Sequence, residues 1–165
     1  MTTRPFDNNG EDLRFVRPDT EFICRAAALI IHDDKLLVAS HTNFPGLYYT
    51  IGGTIKATET SEEAILREIR EETDIELEID RLAFINERFY IVKGTKFHRI
   101  LFFYLMKYRP ELSIPENTAT DLAGEETLLW LPLTSLSSYN LVPSWLKTKR
   151  LDNIVSMEHI ISKEY

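Results

Sequence analysis

Carboxylate side chains crowd into one short stretch of the chain, directly after a Gly-Gly pair. Between Gly52 and Ile75 lie Glu59, Glu62, Glu63, Glu68, Glu71 and Glu72. Like charges at i and i+4, such as Glu68 and Glu72, destabilise an isolated helix by roughly 0.2–0.5 kcal/mol. Holding several carboxylates partly out of water costs more, unless they keep their protons or a cation joins them. A divalent metal such as Mg²⁺ prefers hard oxygen ligands and bridges to phosphates, so it would remove this conflict.

The helical period places three of these glutamates beside the predicted core. With successive residues about 100° apart, the apolar stripe consists of Ile65, Leu66, Ile69 and Thr73. The next arc begins at the edge of that stripe and holds Glu68, Glu71 and Glu72. Gly52 and Gly53 lack side chains, so the backbone before the helix can approach an ion or a phosphate closely. The pattern therefore predicts carboxylates that converge where the helix meets a sheet.

A solvent-exposed acidic face is the alternative interpretation of the same helix. Glu63–Arg67 and Arg67–Glu71 would then form i, i+4 ion pairs, which are common on helix surfaces. The Gly-Gly turn, the offset of Glu59 and the Arg-Glu pair before the Glu-Glu pair favour the metal site over this alternative.

The carboxylate-bearing helix is predicted within a set of strands. Its start is marked by Thr60 and Glu63, which fit the T-x-x-E capping box. Apolar and β-branched runs predict strands at 22–31, 36–40, 47–51, 76–92, 97–108 and 127–133, of which 76–92 and 97–108 form a hairpin. Residues 142–150 suit a short helix, and 157–165 suit either a strand or a helix. Because strands and helices do not alternate evenly, we expect an α/β sandwich with a mixed β-sheet.

Length and charge restrict the class of protein. The 165 residues predict one domain over 21–165, preceded by an N-terminal arm or cap over 1–20. The net charge of −7 disfavours extended nucleic-acid binding, whereas a bound cation still permits a small phosphorylated ligand. The single Cys24 has no disulfide partner, and no apolar run is long enough to cross a bilayer. We therefore expect a cytoplasmic protein without membrane contact.

The spacing of the charged residues resembles the Nudix box, G-x5-E-x7-R-E-U-x-E-E-x-G-U, in which U is aliphatic. The matching positions here are Gly53, Glu59, Arg67, Glu68, Ile69, Glu71, Glu72 and Ile75. Asp74 stands where the family has glycine, and aspartate tolerates the left-handed conformation that ends such a helix better than most residues. Residues 130–133, Trp-Leu-Pro-Leu, resemble the family's W-x-P-L strand.

The resemblance implies a Nudix-type α/β/α sandwich. It further implies hydrolysis of a nucleoside diphosphate linked to another moiety, dependent on Mg²⁺ or Mn²⁺. Carried over by position, Glu68, Glu71 and Glu72 resemble metal ligands or the base that activates water, with Glu71 our catalytic candidate and the base itself left open. The Gly52 carbonyl resembles a further ligand, and Arg67 and Glu59 resemble residues that orient the carboxylates.

Residues outside the box are candidates for a further acid and for substrate binding. Several members draw another glutamate from the loop before the W-x-P-L strand, where Glu125 and Glu126 lie, and we choose Glu125. The substrate candidates are Arg25, Gly53, Arg88 and Tyr90. Arginine can grip a phosphate through two parallel hydrogen bonds, and the aromatic ring can stack on a substrate. A small nucleotide-type diphosphate is the expected partner, with a homodimer left open.

The substrate within this class stays open, and so does a role without turnover. ADP-ribose-cleaving members often carry a proline shortly after the box, and its absence between Ile75 and Arg109 argues weakly against that subclass. The alternative function is a catalytically silent nucleotide-binding or sensing module of the same fold. Degenerate members usually lose box glutamates, and none is lost here, so hydrolysis is favoured.

Overall fold

The computed structural model describes residues 11–112, 114 and 125–165. The strands are β1 Arg14–Arg17, β2 Thr20–Leu29, β3 Ile31–His32, β4 Lys35–His41, β5 Leu47–Tyr49, β6 Gly52–Thr54, β7 Glu78–Val92, β8 Thr95–Lys107, β9 Glu126–Pro132, β10 Asn140–Val142 and β11 Glu158–Glu164. The helix α1 spans Ser61–Thr73, and 3-10 turns span Pro110–Leu112, Leu133–Ser138 and Ser144–Lys147. Helix α1 is the one α-helix of these ranges.

The first sheet is mixed and carries the long hairpin that the sequence predicts. Its strand order is β1-β2-β8-β7-β11, and β6 also pairs with β2. The hairpin strands β7 and β8 are antiparallel, whereas β2 runs parallel to β8 and β11 runs parallel to β7. The antiparallel pairing of β6 with β2 brings Gly52 and Gly53 against Ala27 and Ala26. The Gly-Gly pair is thereby a sheet element that leads into the loop before α1.

The second sheet is smaller and lies against the first. Its order is β10-β5-β4-β3, with β9 also paired to β4. The register of β9 with β4 places Glu126 opposite His41 and Trp130 opposite Leu37. The predicted W-x-P-L strand thus completes this sheet, and its first residue, Glu126, reaches the same end of the molecule as β5 and β6.

Two apolar clusters form the core, one on each face of the first sheet. On one face, Ala64, Ile65 and Ile69 of α1 pack with a cluster that includes Ala26 and Ala28. On the other face, alternate residues of the same sheet, including Phe84 and Phe103, pack with Leu36 and Val38 of the second sheet. The predicted α/β class with mixed sheets is confirmed. Burial of these apolar side chains is the main stabilising contribution.

Helix α1 begins and ends through local hydrogen bonds that the sequence predicts. Thr60 and Glu63 form a capping box: the Glu63 carboxylate accepts from the Thr60 N–H at 2.8 Å, and the Thr60 hydroxyl accepts from the Glu63 N–H at 3.2 Å. Asp74 ends the helix in the left-handed region, with φ 56°, and its N–H donates to the Arg70 carbonyl. The predicted apolar stripe was wrong at Leu66, which is 39% exposed. The buried face of the helix is narrower than the arc predicted from residues spaced 100° apart, and its buried residues are Ala64, Ile65 and Ile69.

The structure corrects the sequence-based expectation for the N-terminal segment and settles an open choice for the C-terminal segment. Part of the predicted irregular arm over 1–20 is regular, because Arg14–Arg17 pair with β2 as the edge strand β1. Residues 1–10 lie outside the described residues. At the other end, the choice between strand and helix is decided for the strand β11, which pairs with β7. None of the helices in the described ranges has the length and hydrophobicity that crossing a bilayer requires.

Candidate active site

Arg67 is the hub of the carboxylate cluster. Its Nε and Nη2 donate to the two oxygens of Glu59 at 2.8 and 3.0 Å, a bidentate pair. Its Nη1 donates to Glu68 at 2.6 Å and to Glu71 at 3.2 Å, and Nη2 also reaches the Thr54 carbonyl at 3.2 Å. One guanidinium therefore joins β6, the loop after it and one face of α1.

Glu59 is held in its charged form by this arrangement. The hydrogen bond from Arg67 is the largest influence that lowers the pKa of the Glu59 carboxyl, and the Lys56 N–H adds a second hydrogen bond at 2.9 Å. The same bond to Glu59 is the largest influence that raises the pKa of Arg67. The pair therefore stays ionised and fixes the loop between β6 and α1. Both residues are box positions predicted to orient the other carboxylates.

The two glycines of β6 are required by close packing. A Cβ on Gly53 would lie 2.0 Å from Oε1 of Glu68, because that carboxylate packs directly on the Gly53 backbone. A Cβ on Gly52 would lie 2.2 Å from the Ala26 carbonyl oxygen, and Gly52 has φ +152°. Gly53, a predicted substrate-binding residue, is buried, and the Glu68 carboxylate packs against its backbone. Whether substrate also reaches its backbone stays a prediction.

Glu72 lies in the most acidic surroundings of the cluster. Burial raises the pKa of its carboxyl, and the negative charges of Glu126 and Glu68 raise it further, to about 8. A hydrogen bond with the Gly52 backbone and the charge of Arg25 oppose this shift. Without a cation the Glu72 carboxyl therefore keeps its proton at neutral pH.

Glu126, the first residue of β9, lies beside the cluster, whereas the sequence-based choice was Glu125 in the preceding loop. The Tyr49 hydroxyl donates to Oε2 of Glu126. The negative charge of Glu126 also raises the pKa of the Glu72 carboxyl. Burial, and then the bond to Glu126, raises the pKa of Tyr49. Glu125 instead has a side chain that is 49% exposed, with Oε2 3.6 Å from His41 Nε2. The register of β9 against β4 places Glu126 opposite His41, and the sequence carries no signal for that register, so a role for Glu125 stays a prediction.

Three of the four predicted substrate residues gather on one face of the first sheet. The Arg25 Nη2 donates to the Gly52 carbonyl at 2.9 Å, which connects this face to the carboxylate cluster. Arg88 donates to Glu164 from Nε at 2.9 Å and from Nη2 at 2.5 Å, and its guanidinium lies 4.5 Å from the Tyr90 ring centroid. Glu164 was not predicted, because its role depends on the pairing of β11 with β7.

The donor chemistry of the cluster fits a hard divalent cation. Carboxylate oxygens and a backbone carbonyl are the ligands that Mg²⁺ and Mn²⁺ take in proteins. Burial and the charges of Glu126 and Glu68 disfavour the ionised form of Glu72, and a cation would offset that cost. Among the residues with described positions, however, no three His, Cys, Asp or Glu side chains already converge as a formed metal cage. Glu68 and Glu71 are turned toward Arg67 instead.

Comparison with known proteins agrees with this geometry. The profile of the NUDIX domain matches residues 23–150, from β2 through the 3-10 turn after β10. No curated protein matches the chain by sequence.

Solved structures share the fold at low sequence identity. A MutT protein from Bacillus halodurans has a TM-score of 0.60 at 16% identity, over 83% of this chain and 89% of that one. A UDP-X diphosphatase has a TM-score of 0.55 at 17% identity, over 83% of this chain and 66% of that one. An ADP-ribose pyrophosphatase from Streptococcus suis has a TM-score of 0.51 at 14% identity, over 83% of this chain and 98% of that one. At such identities these likenesses show the fold. Together with the domain match over most of the chain, they lead to one conclusion: the chain belongs to the Nudix family and is a Nudix hydrolase.

Proposed function

We propose that this chain hydrolyses the diphosphate bond of a nucleoside diphosphate linked to another moiety, with Mg²⁺ or Mn²⁺ as cofactor. The observation that carries the proposal is the position of Glu72. This partly buried carboxyl lies beside the negative charges of Glu68 and Glu126 and beside the Gly52 backbone. Such a group is costly in a folded protein unless a cation compensates it. Strongly shifted carboxyls of this kind also concentrate at functional sites.

The residues that would hold the cation are Glu68, Glu72 and Glu126 with the Gly52 carbonyl. That carbonyl already accepts a hydrogen bond from Arg25, and a carbonyl oxygen has a second lone pair to offer. When bound, the cation neutralises the diphosphate oxygens and lowers the pKa of a water molecule. Arg67 and Glu59 keep the carboxylate-bearing face of α1 against β6, which restricts where the ligand residues can lie.

Glu71 is the residue to which we assign the proton of the attacking water. Its side chain is 57% exposed, and its contact with Arg67, at 3.2 Å, is the longest of the three glutamate contacts of that guanidinium. An accessible carboxylate beside an activated water can take its proton as a general base. The water oxygen then bonds to one phosphorus, the bridging P–O bond breaks, and the bridging oxygen departs with the phosphate-bearing group.

Arg25, Arg88 and Tyr90 are the residues to which we assign the rest of the substrate. The bond from Arg25 to Gly52 supports this role, because it joins the arginine face to the cation ligands. The solved relatives named above act, by their names, on UDP-X and on ADP-ribose. Nucleotide sugars and ADP-ribose therefore belong in the substrate panel, with nucleoside triphosphates and dinucleoside polyphosphates.

The test is to incubate the protein with this panel in Mg²⁺ and in Mn²⁺ and to measure the phosphate-bearing products that are released. We expect turnover of at least one diphosphate, its loss in EDTA, and its loss in Glu72→Gln. The matched control is Glu62→Gln on the exposed side of the same helix, which should keep full activity. Turnover that survives both EDTA and Glu72→Gln would contradict the proposed mechanism. Tight binding of a diphosphate in calorimetry with no turnover would favour a silent binding module instead.

A further inference from the structure

Three arginines from neighbouring strands share one face of the first sheet. Arg88 of β7 and Arg99 of β8 are direct cross-strand partners. Arg99 is also in register with Ile23 of β2, two residues before Arg25. Side chains of register partners, and of residues two apart, point to the same face of a sheet. We call Arg25, Arg88 and Arg99 the arginine triad. It lies on the face opposite α1, beyond the end of the apolar cluster there.

The Tyr90 ring lies beneath two arginines of the triad, Arg88 and Arg99. The guanidinium of Arg88 lies 4.5 Å and that of Arg99 5.2 Å from the Tyr90 ring centroid. The Phe97 ring stacks on Tyr90 at 4.8 Å between centroids, with 6° between the ring planes. Aromatic faces attract guanidinium groups and keep their planes in place without neutralising them. Arg88 and Arg99 are therefore pre-positioned by a ring that does not neutralise their charge.

The charges of the triad are unequally compensated. Arg88 is paired with Glu164, and Arg25 donates to the uncharged Gly52 carbonyl. Glu21, whose negative charge acts on Arg99, is itself paired with Arg14 at 2.7 Å. Arg99 makes no hydrogen bond or ion pair with any other described residue, and its Nε is enclosed without a partner.

Arg99 consequently carries an uncompensated positive charge in a partly buried position. Burial lowers the pKa of its guanidinium, and the positive charges of Arg25 and Arg88 lower it further. Leaving such a group without a hydrogen-bond acceptor is costly in a folded protein. The hydrogen bond from Arg25 to the Gly52 carbonyl, at 2.9 Å, joins this region to the carboxylate cluster.

We propose that the arginine triad binds a negatively charged group, a carboxylate or a phosphate, on the part of the substrate that lies beyond the scissile diphosphate, and that Arg99 is the residue that selects for it. The inference rests on the proposed function, because it assigns the substrate class of that same site. Arg99 then offers the two-pronged donor geometry that carboxylates and phosphates accept. A substrate whose second moiety is uncharged would leave Arg99 unpaired and lose this contribution.

Matched substrates test the inference through turnover. UDP-glucuronic acid and UDP-glucose share base and diphosphate and differ in one carboxylate, whereas ATP and ADP differ in one phosphate. We expect the wild type to prefer the charged member of a pair in kcat/KM, and Arg99→Gln to reduce that preference roughly 10- to 100-fold. Arg109→Gln, an exposed arginine paired with Glu78, is the control that should leave the preference unchanged. The carboxylate pair and the phosphate pair distinguish the two sources of charge.

A second readout does not depend on turnover. In EDTA, inorganic phosphate should raise the melting temperature of the wild type and not that of Arg99→Gln. Arg99→Lys should show a partial rise, because it keeps the charge without the planar guanidinium group. Arg99→Gln alone should melt no earlier than the wild type, because it removes an unpaired charge. An equal phosphate effect in wild type and Arg99→Gln would overturn the inference.

The outcomes separate this inference from the proposed function. Absence of turnover on every diphosphate counts against the proposed function. In that case the effect of phosphate on the melting temperature tests anion binding by the arginine triad without reference to turnover. Turnover with no preference for charged partners, and no change in Arg99→Gln, would leave the hydrolase intact and reject the triad as the anion site.

Discussion

The carboxylate of Glu68 occupies the space that a side chain at position 53 would need. A Cβ on Gly53 would lie 2.0 Å from Oε1 and 2.1 Å from Cδ of Glu68. The box glycine and the box glutamate are thus one packing unit that joins β6 to α1. Arg67 holds the other side of the same carboxylate at 2.6 Å. The position of this proposed ligand therefore depends on a missing methyl group as much as on any attractive contact.

Gly53→Ala should displace Glu68 and damage the site more than the fold. Overpacking of a buried position costs about 1–3 kcal/mol, and a misplaced catalytic group lowers the rate about 100-fold. Thermal unfolding and kcat/KM on the preferred diphosphate would measure the two effects. Gly94→Asn is the control, because nothing lies within 4 Å of a Cβ there and asparagine tolerates the φ of +85°. Unchanged activity in Gly53→Ala would contradict the role of this contact.

Arg67→Lys should reduce kcat by about 100-fold although the charge is kept. A lysine cannot form the two parallel bonds to Glu59 while also reaching Glu68, so the loop and the helix lose their common anchor. Arg70→Lys is the matched control on the same helix, since Arg70 is 66% exposed and pairs with Glu76. Steady-state kinetics with both variants, together with their melting temperatures, distinguish positioning from general destabilisation. Equal effects in the two variants would reject the anchor.

Glu72 should make the metal-free protein less stable as the pH rises. Its folded-state pKa of about 8 lies above the ordinary value of 4.5, so the folded protein binds this proton more tightly than the unfolded chain. The associated stability is complete below about pH 4.5 and is lost as the pH rises through 8. Each pKa unit is worth about 1.4 kcal/mol. Melting curves in EDTA from acidic to alkaline pH should converge with those of Glu72→Gln at low pH and fall below them at high pH.

Cation binding should release a proton from the same group. Because a ligating carboxylate must be ionised, the apparent affinity for Mn²⁺ should rise between about pH 6 and 8 and then level off. Calorimetry in buffers of different ionisation enthalpy counts the released protons directly. In Glu72→Gln both the proton release and the pH dependence over this interval should disappear. Proton release that persists in this variant would assign the shifted group elsewhere.

Glu126→Gln should weaken cation binding, whereas Glu125→Gln should have little effect. Glu126 acts on Glu72 and accepts from the Tyr49 hydroxyl, while Glu125 lies beside His41. Loss of one proposed carboxylate ligand should lower the affinity for Mn²⁺ about 10- to 100-fold. The neighbouring variants serve as controls for each other in the same titration. A larger loss in Glu125→Gln would restore the choice made from the sequence.

Local features of this protein could be predicted from the sequence because their causes are local. The capping box at Thr60 and the left-handed end at Asp74 depend on hydrogen bonds within a few residues, and both predictions are confirmed. The hairpin of β7 and β8 follows from a two-residue turn and matching apolar runs. The fixed spacing of the box likewise indicated the family, because the residues concerned lie on one helix and the turn before it.

What only the tertiary structure decided is which distant residues meet. The charge of Glu126 acts on Glu72, and the Gly53 backbone lies against the Glu68 carboxylate. Arg99 becomes an unpaired charge only because β2, β8 and β7 pair side by side in one register. Strand register shifts in single residues and reverses the face of every side chain, and no local pattern records it. The sequence by itself therefore determined the family and the helix that bears the carboxylates, while long-range strand pairing determined the partners and the sign of the charge around them.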